Sequence, residues 1–585
     1  MRIRWTLYAG IAALTLVSLG LPATAHGAID GVDTGQTDGP TRAALDLHLS
    51  PLATLAPATT AAPEEIEEIA RWNLSGAVPA KIGFSRDLAT PREIHLSAAD
   101  LSRPSPFPLA GGVVTQTASS LVWSGAVRIA QAHALRLHLT AVDLPAGSRV
   151  WTYTRGETAV ALPASLLERS TGHPEHGLWT GTAFGGTIWL EVSIPRAALR
   201  PAREVGFTID RIGELVALDP TGRPLTGDDA PADRALVERD ESCFVDATCA
   251  EKDYPEAVDR ARDAVALIDY ESDDGGFFLC TGTLVADADP RRVEQRAFFL
   301  TANHCVSSQT EAESMDASFE YRTKSCGGSP RQSELIVGAD LLKTIELTDT
   351  TLLELSGLPS SPQFVPFNPD RTPYGELVDV LGHPQGRPLS FSRHEVASGV
   401  PCDDDPWLAT LDRVGCVGPG SSGSAALDED GRLVGILRGA CGNETTITTF
   451  FGRFSISYPE LASILATRPA ADFFTDPKYP DYQFLVEIDN GTTILTGTRE
   501  SACLPETVCV SGALPGRSEV FIRIVGPRSN GFYWPTLVKF TTSKVTVTIR
   551  RVSTGEEQMY VLDGASPGVD ELPGLFDRHG FAANP

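Results

Sequence analysis

The sequence predicts a mainly β chain of several domains, and three observations carry that expectation. Apolar residues recur with period two in many short segments, the signature of half-buried strands. Glycine and proline, 53 and 42 of the 585 residues, punctuate those segments as turn formers. The length exceeds what one hydrophobic core normally serves. No internal apolar run approaches the ~20 residues that a membrane-spanning helix needs. The 75 acidic and 48 basic side chains give a net charge of −27. That balance argues against a nucleic-acid partner or an anionic-lipid surface, since either needs a basic patch.

Taken in order, the chain opens on a segment with the layout of a secretory signal peptide, residues 1–25. Arg2 and Arg4 precede an apolar stretch from Leu7 to Leu21, and Ala23-Thr24-Ala25 offers a cleavage site. A secreted protein without a membrane anchor is therefore expected. Residues 26–217 predict an N-terminal β-sandwich domain, a candidate prosegment. In it Leu135, Leu137 and Leu139 face one way with Arg136 and His138 opposite; Ile188, Leu190, Val192 and Ile194 alternate likewise, as do Val205, Phe207 and Ile209. Residues 218–240 are rich in Pro, Gly and Asp and read as a linker. Residues 241–470 form a middle domain, which closes on a short helix from Pro459 to Thr467. Residues 471–585 predict a second β domain, with alternation at Val520, Ile522 and Ile524 and at Val545, Val547 and Ile549. Cysteine is absent before Cys243, occurs eight times from there to Cys441, and returns as Cys503 and Cys509. An even count in an exported chain predicts disulfides.

Three segments of the middle domain carry chemistry. Phe298-Phe299-Leu300-Thr301-Ala302-Asn303-His304-Cys305 runs an apolar strand into a histidine. Asp349 opens the apolar strand Thr350–Leu355. Gly418-Pro419-Gly420-Ser421-Ser422-Gly423-Ser424 sets a serine among glycines ahead of the apolar run Leu433–Leu437. Acyl transfer needs this set: a hydroxyl, an imidazole to take its proton, a carboxylate to fix the imidazole tautomer, and backbone amides for the oxyanion. Each piece alone has an ordinary structural reading as a turn, a core histidine or a strand cap. Together, in the order His304, Asp349, Ser422, they match one known triad order and differ from those of α/β-hydrolases and subtilisin, which disfavours an esterase. Asp316 and Asp340 are weaker alternatives to Asp349, because neither opens a comparable strand. His383 and His394 lack zinc-ligand spacing, Asp30, Asp33 and Asp38 lack an EF-hand pattern, and Asp403-Asp404-Asp405 reads as a solvated loop with calcium binding a minor reading. No metal and no cofactor is expected.

The segments TANHC and GSSGS resemble the histidine and serine boxes of chymotrypsin-like serine proteases. The nearer resemblance is to bacterial secreted lysyl endopeptidases. It begins at Cys243 (SCFVDATC), continues through Cys280-Thr281-Gly282-Thr283-Leu284, FFLTANHC, DTTLLEL and PGSSGS, and reaches Gly452-Arg453-Phe454, covering roughly residues 238–458. The resemblance implies a chymotrypsin-like double β-barrel flanked by the two β domains. It implies His304 as general base, Asp349 as its orienter, Ser422 as nucleophile and the Gly420 and Ser422 amides as oxyanion hole. It also implies the disulfides Cys280–Cys305, Cys243–Cys441 and Cys249–Cys326, which leaves Cys402 with Cys416 and Cys503 with Cys509 as local pairs.

The match fails at specificity. Lysyl endopeptidases carry an aspartate three residues before the Gly-Arg of the closing strand; here that residue is Thr449. The acidic position of trypsin-like enzymes, six before the nucleophile, is Cys416. A neutral or small substrate side chain is therefore expected. Arg438, on the strand expected to line the substrate groove, offers a second reading, a guanidinium for a substrate carboxylate, against the plainer one of an exposed strand-edge arginine. The linker holds no lysine but does hold Arg223, Arg234 and Arg239, so lysine-directed self-cleavage could not release the N-terminal domain. The sequence thus predicts a secreted serine endopeptidase acting on protein or peptide substrates. The rival is an adhesion or binding protein carrying an inactive protease module.

Overall fold

The computed structural model describes residues 39–42, 62–75, 78–129, 132–156, 158–172, 177–201, 203–218, 243–443, 446–466, 468, 472–512, 516–526, 532–553, 557–562 and 581–582. The segment expected to be a signal peptide, Asp30, Asp33 and Asp38, and residues 219–240 of the expected linker with its arginines lie outside these.

The N-terminal part begins with helix α1 (Pro63–Leu74), which has proline in its first turn and Glu64 and Glu65 at its positive end. A long strand β1 (Ala80–Leu96) follows, and β2 (Ala134–Asp143) and β3 (Val205–Leu215) join it in the order β1-β3-β2. A second, six-stranded sheet faces these strands. Leu135, Leu137 and Leu139 are buried between the two sheets with Trp123, Val192, Ile194 and Phe207, as the alternation predicts.

The other face of β2 is where the structure departs from the pattern. Arg136 and His138 do not meet solvent: Arg136 is 0% exposed. The reason is that the sheet continues into the middle domain. That domain opens with the short strand β4 (Val245–Asp246) and then forms a first barrel. Its strands are β5 (Val265–Glu271), β6 (Gly276–Leu284), β7 (Phe298–Thr301), β8 (Asp316–Phe319), β9 (Glu334–Val337), β10 (Ala339–Ile345) and β11 (Thr350–Leu355). They run β9-β8-β5-β6-β7-β11-β10. Gly338, at φ +76°, bends β9 into β10, so one chain segment pairs with β8 at one end and β11 at the other and the sheet wraps round. Its interior is Phe298, Phe299, Leu300, Leu352 and Leu353. β1 pairs with β6, Ala80 opposite Leu279, so N-terminal and barrel strands share one sheet.

Burying Arg136 requires charge partners. Its guanidinium lies 3.1 Å from Asp269 and 3.4 Å from Asp316, while the Thr182 amide donates to Asp316 at 2.6 Å. Nearby, Trp179 Nε1 and Arg211 both donate to Glu271, at 2.6 and 2.9 Å. Burial pushes the Asp316 carboxyl from its usual 3.8 up to about 7, with Arg136 opposing and Asp269 adding to the rise. A carboxyl whose folded pKa is raised takes up a proton on folding, so its contribution is full at low pH and is lost as pH rises through the folded value. The full chain is therefore expected to lose thermal stability as pH rises from about 4 toward about 7, and Asp316→Asn is expected to flatten that slope. Unfolding midpoints of both proteins across this window check it; equal slopes would refute it.

The second barrel comprises β12 (Leu377–Gly382), β13 (Ser390–Val396), β14 (Trp407–Val414), β15 (Ala425–Leu427), β16 (Leu433–Asn443) and β17 (Thr446–Arg453). They run β13-β12-β15-β16-β17-β14, and β13 pairs again with β14 to close the ring. Helix α2 (Phe454–Ala466) follows directly and includes Pro459 rather than starting there. Its first turn is fixed by Ser457, whose hydroxyl donates to Thr348 Oγ1 at 2.7 Å. The C-terminal domain pairs two five-stranded sheets over a core that includes Phe484, Val486, Val520, Ile522, Val545 and Val547. Arg468, which lies 3.1 Å from Asp287 and 2.8 Å from Asp472, and Arg292, 2.8 Å from Glu487, tie it to the first barrel.

Among the five disulfides are Cys280–Cys305, Cys249–Cys326 and Cys503–Cys509. The other two correct the pairing that the resemblance implied. Cys243 bonds Cys416, not Cys441, and Cys402 bonds Cys441, not Cys416. Strand register is the cause. β4 pairs with β13, placing Val245 opposite Phe391, and β13 places Arg393 opposite Val414 of β14. Cys243 and Cys416 therefore arrive at the same edge, whereas Cys441 lies far along β16 opposite Thr448.

Candidate active site

The histidine segment is positioned by β7, whose four residues are all buried and hold the strand between β6 and β11. Beyond Thr301 the chain turns, with the amides of Cys305 and Val306 both donating to the Ala302 carbonyl. The turn presents His304, and Cys280 of β6 anchors it through Cys305. Asp349 sits just before β11 in the left-handed region, φ 50° and ψ 45°, a conformation aspartate tolerates better than most residues. Its Oδ1 accepts the His304 amide at 2.8 Å and its Oδ2 lies 2.6 Å from His304 Nδ1. An ionised carboxylate only accepts, so Nδ1 carries the proton and Nε2 keeps its lone pair. Nε2 is buried and has no hydrogen-bond partner among the described residues.

The serine loop closes against this turn. The Thr281 amide donates to the Ser422 carbonyl at 2.8 Å, and the Gly423 amide to Leu437 O at 2.9 Å. A Cβ on Gly423 would lie 2.2 Å from the Thr281 carbonyl and 2.9 Å from the Ala302 amide, so glycine is what lets the nucleophile loop press onto the histidine loop. Gly420 is at φ +94°, and its carbonyl accepts from Thr281 Oγ1 at 2.9 Å; that hydroxyl in turn accepts from the His383 amide at 3.0 Å. The Gly420 carbonyl is turned to Thr281, and neither the Gly420 nor the Ser422 amide donates to a group among the described residues. Acyl transfer requires amides without acceptors, a hydroxyl and an imidazole nitrogen holding its lone pair, and these two loops carry one set of each.

Residues 237–451 match the family model described as lysyl endopeptidase, C-terminal domain. A lysyl endopeptidase of Pseudomonas aeruginosa strain PAO1 is 32% identical over 242 residues, which span 38% of this chain and 52% of that protein. The middle of the chain is lysyl-endopeptidase-like. The match spans only about half the length of that curated relative. Among solved structures, an inactivated protease paralogue of the scabies mite shares 17% identity, covering 36% of this chain and 96% of its own, at a TM-score of 0.28. The Rv3671c protease of M. tuberculosis H37Rv in its inactive form shares 20% identity, covering 36% and 92%, at a TM-score of 0.25.

The remaining predicted residues fall as follows in this lysyl-endopeptidase-like domain. Cys416 is consumed in its bridge to Cys243. Thr449 is buried, and its hydroxyl donates to Asp412 Oδ1 at 3.0 Å. Arg438 is 35% exposed and turns inward, its Nε 3.2 Å from Asp349 Oδ2. The guanidinium thus leans on the same carboxylate oxygen as His304. Asp316 is committed to Arg136 and Asp340 to Arg169, which leaves Asp349 as the aspartate on His304. Of the acidic run, Asp405 pairs with Arg371 and Arg453, and Asp403 accepts the Gly399 amide. His383 Nδ1 lies 2.9 Å from the Arg387 carbonyl.

Two groups escaped the sequence reading. Thr281 holds the Gly420 loop from a strand 139 residues away in sequence, and only the CTGTL segment of the family resemblance hinted at it. Asp412, whose side chain is partly exposed, stands behind buried Thr449, with buried His394 Nδ1 2.9 Å away and His394 Nε2 2.8 Å from Ser392 Oγ. Burial pushes the Asp412 carboxyl up, but the bonds and charge from His394 and the bond from Thr449 outweigh it and hold it below the usual range. A residue lying outside any motif, whose partners come from other strands, left no local signal.

Proposed function

We propose that the chain is an exported serine endopeptidase that hydrolyses peptide bonds through an acyl-enzyme on Ser422. The observation that carries this reading is a carboxylate-held His304, its Nε2 without a hydrogen-bond partner among the described residues, on a turn packed against a serine loop whose Gly420 and Ser422 amides donate to no described group. In this mechanism Nε2 takes the Ser422 proton as Oγ attacks the scissile carbonyl. The amides of Gly420 and Ser422 receive the oxyanion, and His304 returns the proton to the departing amine. Water then repeats the sequence on the ester. The five disulfides support an extracellular setting, where such bonds persist.

For the acyl-side residue we propose a neutral or small side chain, because Thr449 and Cys416 replace the acids that would hold a cation. Asp412 favours a second reading. It is the acid next to Thr449, and a cationic substrate group could reach it if Thr449 yields its bond. One experiment covers both. Fluorophosphonate labelling of the protein and of its His304→Ala variant should give rapid labelling of the first and almost none of the second. A peptide library varied at the acyl-side residue should favour neutral side chains. Strong cleavage after lysine or arginine that Asp412→Asn removes would establish the second reading instead.

A further inference from the structure

The contact between β1 and β6 lies beside the candidate active site. Cys280, which anchors the His304 turn, is the residue after Leu279, and Leu279 stands opposite Ala80. Thr281, one residue further, bonds the Ser422 carbonyl. The two halves of a bound substrate occupy different sides of this centre. On the proposed mechanism the acyl half is assigned to the β16 side, where the serine loop is bonded to Leu437. The departing half must receive its proton from His304, whose ring lies within 4.8 Å of the Cys280 and Cys305 sulfurs, so the side assigned to it is that of the bridge and the neighbouring Leu279. An extended peptide there would add as a strand to the β6 edge at Gly276–Leu279.

That edge is already taken. Asn73 bonds both the Lys81 amide, at 2.8 Å, and the Lys81 carbonyl, at 2.9 Å. Ladder bonds alternate along an antiparallel pair, so Ala80 is the residue left facing β6. Trp72 of α1 packs edge-on against Phe278, ring centroids 5.6 Å apart, and Lys81 pairs with Glu68 at 2.5 Å. β1 cannot fray alone, since β3 holds its other edge and Arg136 is buried between Asp269 and Asp316.

We propose that the N-terminal domain inhibits from the leaving-group side, β1 occupying by strand addition the edge of β6 that a substrate needs beyond its scissile bond. This rests on Ser422 being the nucleophile. The full chain then reacts with small acyl substrates whose leaving group is compact, yet excludes long peptides. Cutting the linker does not relieve the block, because the sheet and the buried ion pairs keep the domain in place.

The test uses the full chain with three probes: a small fluorophosphonate, an ester of one acylated residue, and an internally quenched peptide with the same acyl half and several residues after the scissile bond. Wild type should label and hydrolyse the ester, but cleave the peptide slowly. Ala80→Pro, which removes the facing amide, and Trp72→Ala, which removes the packing, should each raise peptide cleavage relative to ester hydrolysis by at least about tenfold, the worth of one or two such contacts. Labelling should not change, which also reports that the variants fold. A wild-type peptide-to-ester ratio equal to that of both variants would overturn the proposal, as would ester and peptide rising together. Absence of labelling in every form would instead overturn the Ser422 reading, and this inference with it.

Discussion

Ser422→Ala is expected to abolish peptide hydrolysis, lowering kcat by about 10⁶, the loss that follows when a triad nucleophile is removed and only binding and the oxyanion donors remain. Alanine fits the site without steric cost. Ser422 lies on a loop fixed by main-chain bonds from Thr281 and Gly423, not by its own hydroxyl, so the variant should unfold at the wild-type temperature. Paired measurement of kcat and the unfolding midpoint separates lost chemistry from lost structure. A Ser422→Ala protein that kept every activity of the wild type would favour the rival, a binding protein built around an inert protease module.

Asp349→Asn is expected to lower kcat by about 10⁴ with little change in KM. The carboxylate accepts from the His304 amide and from His304 Nδ1, and Arg438 Nε lies 3.2 Å from its Oδ2. An amide has one oxygen and one NH₂ for the two donors and the cation. If the oxygen stays with the His304 main chain, the NH₂ confronts Nδ1, and the ring answers by moving its proton to Nε2, where it can no longer accept from Ser422. Arg438 would also lose its anion. Steady-state kinetics over a pH series check this; the deficit should persist at every pH, because it arises from the tautomer. Activity within tenfold of wild type would remove Asp349 from the triad. The ordinary outcome for Arg438 is thereby also narrowed: it is a neighbour of the triad carboxylate, and a role in gripping substrate would require it to leave Asp349.

The parts of the site that were legible in the sequence are those whose chemistry depends on immediate neighbours. Gly420 and Gly423 flank Ser422 because the loop must turn at positive φ and approach another backbone closely. His304 follows an apolar strand because it must stand at the rim of a barrel, and Asp349 opens the strand beside it. Alternation along β2 likewise gave its inward leucines. The same alternation was silent about what lay on the opposite face: Arg136 has a partner 180 residues away in Asp316, and no local pattern distinguishes that from solvent. Cysteine count implied bridges, but Cys416 rather than Cys441 meets Cys243 because of how β4, β13 and β14 are aligned.

By itself, then, the sequence determined the mainly β architecture, the candidate acyl-transfer residues and the absence of an acid at Thr449 and Cys416, since period, turn chemistry and residue type are properties of short segments. Tertiary structure alone decided that Asp412 stands behind Thr449, that Arg438 leans on Asp349, which cysteines meet, and that β1 joins the edge of β6 next to Cys280. Each of these is set by how strands distant in sequence align, and strand pairing contributes its free energy only when both edges are present. One strand's residues do not encode its neighbour.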